Sequence, residues 1–442
     1  MANRRADLHR VITATAALTG AGWRSRRRRR AGEPWPPALA DELRHAFEHL
    51  GPTYTKLGQM VASTPGLFPP FLVEGMQGCL DEVKPLPASV VLEVVEAELG
   101  APVDELFSRF DRRPLASASI GQVHRAATPE GREVVVKVQR PGITDRIQTD
   151  LRLMAAAART AERVSRRARL VQPQATVADF AHTLGEELSF MVEARAMEDV
   201  GAALADFAHA DRIHIPEVHW RWTTPRVLTM DHVDGPRLDD VDALEALGVD
   251  GAELLKVTVR GWLHGALVHG VFHGDLHAGN LRVDPLGRAT FIDFGICGHL
   301  TDAARSSLFV ALPAILARDF RTLAEAMFAP LDGEGDLDLP AIVADLEATI
   351  EPVLDAPLGQ VSYAQAFVEV VRVGLRHGVL LPNDLILVFK QFFYVERFTS
   401  LLAPEWQPLS DPDLVAEILA ATAAPIAPVE PARPVRAVPD VA

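Results

Sequence analysis

The strongest signal in the sequence is His273-Gly274-Asp275-Leu276-His277-Ala278-Gly279-Asn280, which is followed by Ile292-Asp293-Phe294-Gly295. The motif contains an aspartate, an asparagine five positions later and an Asp-Phe-Gly after a short strand. This order is typical of a phosphoryl-transfer loop. Such chemistry needs Mg²⁺ to neutralise the phosphates, and hard oxygen ligands hold that ion. We therefore predict Asn280 and Asp293 as magnesium ligands and Asp275 as the residue that orients the attacking nucleophile or accepts its proton. A His-Gly-Asp run alone is also typical of an ordinary turn.

A buried strand with one cation is predicted upstream, at Glu133 to Val138. This β-branched run lies between Pro129-Glu130-Gly131 and Pro141-Gly142 and contains Lys137. A strand lysine of this kind grips the α- and β-phosphates of a nucleotide, and a glutamate partner offsets the cost of burying its charge. We predict Glu193 as that partner, on a helix from Leu184 to Val200. The alternative is that this helix has only a solvated acidic face.

Small residues precede that strand, where a protein kinase has a glycine-rich loop over the phosphates. Ala116, Ser117, Ala118 and Ser119 stand where most of the glycines would be. Backbone N–H groups can still approach an anion there, but the Cβ atoms restrict the backbone conformations that glycine leaves open. We expect these four residues to contact the nucleotide in a different way, although the segment alone is typical of an ordinary small-residue turn.

Together these motifs resemble the UbiB-type atypical kinases (the AarF/UbiB family), which are linked to coenzyme Q biosynthesis and to related lipid and quinone functions. The alanine-rich loop and the phosphoryl-transfer motifs carry the resemblance, together with Lys56-Leu57-Gly58-Gln59 and the acidic segment Glu187 to Ala194. It extends from about Leu39 to Trp406. It includes Met230 to Gly235 as the predicted hinge between two lobes.

The resemblance implies an α+β, protein kinase-like bilobal fold with a helical N-terminal extension and a helical C-lobe. The expected divisions are a basic arm over 1–33, the extension over 34–100, the N-lobe over 101–235, the C-lobe over 236–410 and an Ala/Pro-rich tail over 411–442. It also implies ATP and Mg²⁺ as cofactors. Its further nucleotide-site residues would be Lys56, Gln59 and Glu187, which cover the pocket, and Asp231 and Val233 in the hinge.

One position departs from the family pattern, because Ser189 stands where an aspartate is usual. A neutral hydroxyl can neither neutralise Lys56 nor approach a metal as a carboxylate does. Either Glu187 alone neutralises Lys56, or the helix carrying Lys56 is held less firmly and opens more readily to substrate.

The expected reaction is ATP hydrolysis or phosphoryl transfer to a small or lipid-like acceptor, since the resemblance implies a site shielded from protein substrates. Quinone, isoprenoid or other lipid biosynthesis, with partner enzymes of such a pathway, is the expected setting. One alternative is a small-molecule phosphotransferase of the aminoglycoside-kinase type, which shares the catalytic loop but which Lys56 to Gln59 argues against. Another is a pseudokinase scaffold that binds nucleotide without turnover.

The two ends of the chain differ in charge and composition from the rest. The net charge is -15, yet the first thirty residues hold nine arginines and one aspartate. These flank Val11 to Trp23, which is too short to span a bilayer, so we predict either a helix resting on an anionic membrane or a disordered basic tail. Nucleic-acid binding is not expected from an acidic body without a recognition motif. Ala421 to Ala442 is predicted to be disordered.

Cysteine usage and apolar periodicity complete the prediction. Cys79 and Cys297 are too few for a disulfide framework, which is consistent with a reducing cytoplasm. Three further helices are expected from apolar periodicity, at Ala252 to His269, Ala303 to Ala317 and Pro382 to Leu402. The remaining histidines, including His214, His219 and His264, show no metal-ligand spacing.

Overall fold

The computed structural model of the chain describes residues 2–62, 68–79, 83–165, 173–328, 338–354, 362–377, 379 and 383–423. The chain forms two compact units. The first consists of Met1–Met197 and Pro216–His232, and the second of Glu198–Ile215 and Val233–Ala442.

The first unit contains a four-stranded antiparallel sheet, and helices precede and follow the strands along the chain. Its strands follow the order β1-β2-β3-β5. They are β1 (Arg109–Ser117), β2 (Gly121–Ala127), β3 (Glu133–Gln139) and β5 (Val227–Asp231). The helices are α1 (Ala2–Arg30), α2 (Trp35–Leu50), α3 (Pro52–Ala62), α4 (Pro70–Met76), α5 (Ala88–Leu99), α6 (Val103–Leu106), α7 (Ile143–Val164), α8 (Pro173–Glu187) and the first part of α9 (Phe190–Ala203).

The predicted strand around Lys137 is confirmed as β3, an inner strand of this sheet. Its residues Val134, Val136 and Val138 are buried in one apolar cluster with α5 and Trp222. Because successive side chains of a strand point to opposite faces, Lys137 projects from the other face. Valines on one side of β3 therefore anchor the strand, and Lys137 extends from the opposite side.

The basic N-terminal segment folds as helix α1, so the prediction of a disordered tail is wrong. The guanidinium of Arg10 donates to both carboxylate oxygens of the fully buried Asp150, at 2.6 and 2.7 Å, and to the Leu50 carbonyl oxygen. Arg28 donates to Asp41 on α2 at 2.6 Å. These acidic partners give the arginines defined positions, which an uncompensated run of positive charge would not have.

The helix predicted from Leu184 to Val200 is instead two helices, α8 and α9, separated at Leu188 and Ser189. Gln139 donates its side-chain amide to the Leu188 carbonyl oxygen at 2.8 Å, and the Phe190 N–H donates to the Pro225 carbonyl oxygen at 3.0 Å. Hydrogen bonds to distant residues thus replace the helical ones at this point. Apolar spacing within the segment could not indicate that.

The second unit is mostly helical and contains short strands. The strands are β4 (Ile213–His214), β6 (Val271–His273), β7 (Leu281–Val283), β8 (Ala289–Phe291) and β9 (Cys297–His299), in a three-stranded sheet β4-β8-β7 and an antiparallel pair β6-β9. The helices are α10 (Val241–Ala246), α11 (Gly251–His264), α12 (Asp302–Leu316), α13 (Phe320–Met327), α14 (Leu339–Leu354), α15 (Tyr363–Arg376), α16 (Asn383–Leu402) and α17 (Pro412–Ala423).

The predicted helices of this unit are confirmed as α11, α12 and α16, apart from Pro382, which is outside the described residues. The Ala252 to His269 segment ends differently from the prediction, because Gly265–His269 is a π-helical turn. Helices α12, α13, α14 and α15 share one apolar core.

The Ala/Pro-rich tail was predicted to begin at residue 411, but a helix occupies Pro412–Ala423. Residues up to Ala423 belong to α17, where Leu414 and Ile418 are buried and Glu417 accepts a 2.5 Å hydrogen bond from Arg260. The prediction of disorder for 424–442 falls outside the described residues. Among the helices that the structure describes, we find none with the length and apolar character needed to cross a bilayer.

Candidate active-site residues

The first unit brings Lys137 and Glu193 together. The Lys137 Nζ atom lies 2.8 Å from both carboxylate oxygens of Glu193, and the two side chains are only 18% and 5% exposed. The Phe190 ring lies under the same ammonium, with its centroid 5.2 Å away. Two charge-assisted hydrogen bonds and a cation–π contact compensate the burial of the charges and hold the ammonium in place.

Lys56 and Glu187 form a second ion pair in the first unit, with 2.8 Å between Nζ and the nearer carboxylate oxygen. Of the two alternatives raised by Ser189, the structure therefore favours the one in which Glu187 serves Lys56. The glycine between Lys56 and Gln59 has a packing reason. A Cβ atom at Gly58 would lie 2.8 Å from the Cys79 sulfur, so α3 can approach that residue only without a side chain. Gln59 is half-buried on the same helix.

The segment Ala116 to Ser119 forms the end of β1 and the tight turn into β2. Arg140 fixes this turn, because its guanidinium donates to the Ala118 carbonyl oxygen and to the Ser117 hydroxyl, each at 2.8 Å. The Ala118 N–H is bonded to the Gly121 carbonyl oxygen. The Ser119 hydroxyl is buried and has no hydrogen-bond partner within the described part of the chain. Arg140 and the Ala118–Gly121 hydrogen bond thus fix the conformation of this turn.

The two predicted hinge residues lie on either side of the division between the units. The Asp231 carboxylate in the first unit accepts a hydrogen bond from Arg132 at 2.7 Å and lies 2.9 Å from His219 Nε2. Val233 is the first residue of the second unit after that strand and is half-buried. The side chain of Asp231 is therefore committed to partners within its own unit.

In the second unit, His273 organises the loop around Asp275. The imidazole is buried; its Nδ1 accepts from the Asp275 N–H at 3.2 Å, and its Nε2 lies 3.0 Å from the Asp293 carbonyl oxygen. This pattern assigns the proton to Nε2. Burial lowers the pKa of His273, so the ring is neutral and serves as a brace between the two predicted motifs.

Asn280 and Asp293, the predicted magnesium ligands, both lie in the second unit. The Asn280 amide nitrogen donates to the Asp275 carbonyl oxygen at 3.0 Å and lies 3.4 Å from the Asp275 carboxylate. Its amide oxygen is consequently the atom with the chemistry to bind a cation. Asp293 is exposed and has a φ of 61°, in the left-handed region that non-glycine residues rarely adopt. Such strain persists where the surrounding structure imposes it, often at functional sites.

The sequence interpretation missed three residues of α16 that surround the Asp275 loop. Gln391 is fully buried; its amide nitrogen donates to the Gly274 carbonyl oxygen at 2.7 Å, and its amide oxygen accepts from the Leu276 N–H at 2.9 Å. Lys390 places its ammonium 3.7 Å from an Asp275 carboxylate oxygen. Burial, followed by the charge and hydrogen bonding of Asp275, raises the pKa of Tyr394.

The signal available in the sequence was the polar pair Lys390-Gln391 within the apolar run Leu385 to Val395, which the aromatic stripe of α16 obscured. His277, which belongs to the same loop, lies 3.5 Å from the Asp275 carboxylate and accepts from the Gly279 N–H. A cation, a phenol and an imidazole therefore border the carboxylate that we predict to act on the nucleophile.

This combination of an antiparallel sheet bearing a lysine–glutamate pair and a helical unit bearing the Asp275 loop is that of a kinase-like protein, and the predicted fold is confirmed. Residues 78–327 match the ABC1 atypical kinase-like domain, and residues 346–407 match the UbiB helical domain. The chain belongs to the ABC1/UbiB family of atypical kinase-like proteins, as the resemblance predicted.

Relatives in bacteria and plants support this assignment. An uncharacterized protein of Mycobacterium tuberculosis H37Rv is 42% identical over 86% of this chain and 78% of its own length. An uncharacterized aarF domain-containing protein kinase of Arabidopsis thaliana, named as chloroplastic, is 32% identical over 84% of this chain and 73% of its own. A Mycobacterium tuberculosis protein solved as an erythromycin complex shares the fold, with a TM-score of 0.50, 23% identity and coverage of 73% of this chain and 84% of that one.

Proposed function

We propose that the chain binds Mg-ATP and catalyses ATP hydrolysis or phosphoryl transfer to a small or lipid-like acceptor. In this proposal Lys137, held by Glu193, binds the nucleotide phosphates, while Asn280 and Asp293 bind Mg²⁺. Asp275 orients the acceptor hydroxyl or a water molecule. The observation that carries the proposal is the Asp275 loop, in which the Asn280 amide donates to the Asp275 carbonyl oxygen at 3.0 Å, together with the strained backbone of Asp293.

The buried lysine–glutamate pair gives independent support, because an ion pair fixed by two 2.8 Å hydrogen bonds is a poor source of stability but a good way to position a charge. The Lys56–Glu187 pair favours a UbiB-type reaction over an aminoglycoside-kinase type, since Lys56 lies on the extension that marks this family. Acceptors and partner enzymes from quinone, isoprenoid or other lipid biosynthesis stay predictions.

Phosphate release from Mg-ATP by the purified full chain tests the proposal. Asp293→Asn should abolish turnover, whereas Asp242→Asn, which changes an exposed aspartate of the same unit, should leave it at the wild-type level. Nucleotide binding without phosphate release in the wild type would favour the pseudokinase scaffold instead. A failure to bind nucleotide at all would refute both ideas.

The choice between hydrolysis and transfer needs an acceptor. Mass spectrometry of small molecules and lipids that co-purify with Asp275→Asn would identify candidates, because that variant should retain Mg-ATP binding while losing the chemical step. Addition of a true acceptor to the wild type should yield a phosphorylated product, whereas a ligand that only stimulates phosphate release would indicate an ATPase.

We also propose that α1 contacts anionic membranes, since its C-terminal part carries exposed Arg26, Arg29 and Arg30 and the nearby Trp23 is 63% exposed. Helix α1 packs on α2, so replacing these three arginines by glutamine is a cleaner test than truncation. The wild type should float with anionic vesicles and not with neutral ones, and the variant should lose this binding. Equal flotation of both proteins would contradict the proposal.

A further inference from the structure

Three potential metal ligands converge in the second unit, although the sequence indicated no metal-ligand spacing for His264. Asp206 lies in the turn that follows α9, His264 ends α11, and His269 ends the π-helical turn. One carboxylate oxygen of Asp206 lies 2.8 Å from His264 Nε2 and 2.9 Å from His269 Nε2. The ligand atoms of all three residues lie within 4.8 Å of one another.

The π-helical turn explains why two histidines five residues apart can meet. In an α-helix, with about 3.6 residues per turn, positions i and i+5 are about 140° apart and face different directions. The turn Gly265–His269 instead closes with a bond from the Gly270 N–H to the Gly265 carbonyl oxygen. This wider turn carries His269 round to His264, and π-turns of this type are frequent at functional sites.

Packing holds the cluster in a defined arrangement. The buried ring of Phe207, the neighbour of Asp206, lies 5.5 Å from the His264 ring, which in turn lies 5.4 Å from the His269 ring. The chain can turn back after His269 only because Gly265 has no side chain, since a Cβ atom there would lie 2.7 Å from the Val271 carbonyl oxygen. Partial burial raises the pKa of Asp206, but hydrogen bonds from both histidines outweigh it and keep the pKa below its usual value.

We propose that Asp206, His264 and His269 form a binding site for a late first-row divalent cation, with Zn²⁺ as the representative ion. Two imidazole nitrogens and one carboxylate oxygen suit Zn²⁺, Ni²⁺ or Co²⁺, whereas Mg²⁺ and Ca²⁺ prefer sites made wholly of oxygen. Three protein ligands leave further coordination positions for water or a ligand. The two histidines are partly accessible, so an ion can enter. This site is separate in its residues from the proposed Mg-ATP ligands and does not depend on that proposal.

Titration of the full chain with Co²⁺ tests the site, because Co²⁺ reports its coordination by visible absorption and occupies the same kinds of site as Zn²⁺. Excess Mg²⁺ in every sample saturates the hard oxygen ligands at Asn280 and Asp293. We expect one equivalent of Co²⁺ to produce an absorption band that one equivalent of Zn²⁺ removes. The absence of a Zn²⁺-displaceable band would overturn the proposal.

Three variants distinguish this site from adventitious binding. His264→Ala, His269→Ala and Asp206→Asn should each weaken Co²⁺ binding by at least about tenfold, since even outer-shell partners of metal sites contribute 10–100-fold. Asp206→Asn keeps a hydrogen-bond acceptor and guards against misfolding, which circular dichroism would check. His182→Ala is the matched control, because among the described residues the carboxylate that His182 faces is that of Glu186, at 3.6 Å. Unchanged binding in the three variants, or equal loss in the control, would refute the assignment.

Discussion

Replacing Gln391 by leucine should loosen the Asp275 loop without removing any residue that we propose to touch the nucleotide. Gln391 is fully buried, and its side chain satisfies the Gly274 carbonyl oxygen and the Leu276 N–H. Leucine has a similar volume, so the main effect is two unpaired buried backbone groups rather than a cavity. Each such group costs about 1–3 kcal/mol, and local opening of the loop should become easier by roughly 2 kcal/mol or more.

Amide hydrogen exchange at Leu276 measures this directly, since the Gln391 side chain is the partner of that N–H. A loss of about 2 kcal/mol corresponds to roughly 30-fold faster exchange if local opening controls it. Phosphate release should fall in parallel, because the loop that positions Asp275 becomes mobile. Gln365→Leu, the same change at an exposed position on α15, should leave both measurements unchanged. Unaltered exchange at Leu276 in Gln391→Leu would refute the reasoning.

The remaining predictions concern charge placement and protonation. Glu193→Gln removes the charge that holds Lys137 and should weaken nucleotide binding about tenfold or more in a fluorescence titration, given about 1.5–3 kcal/mol for a charged hydrogen bond; affinity within twofold of the wild type would contradict it. Lys390→Met removes the cation 3.7 Å from Asp275 and should slow phosphate release about tenfold, while Lys390→Arg restores part of the rate. Burial lowers the pKa of His124, so below its usual pKa of about 6.5 the unfolded chain binds the extra proton and stability falls as the pH falls. An NMR titration of this imidazole should find its pKa below the usual value of about 6.5, and a pKa above that value would show the sign to be wrong.

The elements that could be predicted from sequence are those whose signal is contiguous. Strand β3 follows from a run of valines between turn residues, and the Asp275 loop follows from a motif of eight residues. Helix α16 follows from apolar periodicity alone. In each case neighbouring residues contain both the pattern and its physical cause, so no distant contact was needed to interpret it.

The features that could not be predicted depend on partners far away in the chain. In the sequence, Arg10 belongs to a basic segment. Its structural role depends on Asp150, which lies 140 residues later and accepts its hydrogen bonds. The break between α8 and α9 depends on Gln139 and Pro225. His264 and His269 have no α-helical ligand spacing until the π-turn brings them together. Tertiary hydrogen bonds decide the first two cases, and a local π-turn that α-helical spacing does not reveal decides the third.

Helix α16 belongs to the family-specific helical domain and contacts the loop that contains the proposed catalytic Asp275. Gln391 and Lys390, one turn from Tyr394, lie within the segment that matches the UbiB helical domain, and all three contact or border the Asp275 loop. The Leu276 N–H and the Gly274 carbonyl oxygen are buried, so the loop cannot keep its conformation without the amide that this helix supplies. The helical domain therefore determines the position and electrostatic environment of Asp275. Changes on this face of α16 should alter turnover more than they alter nucleotide affinity.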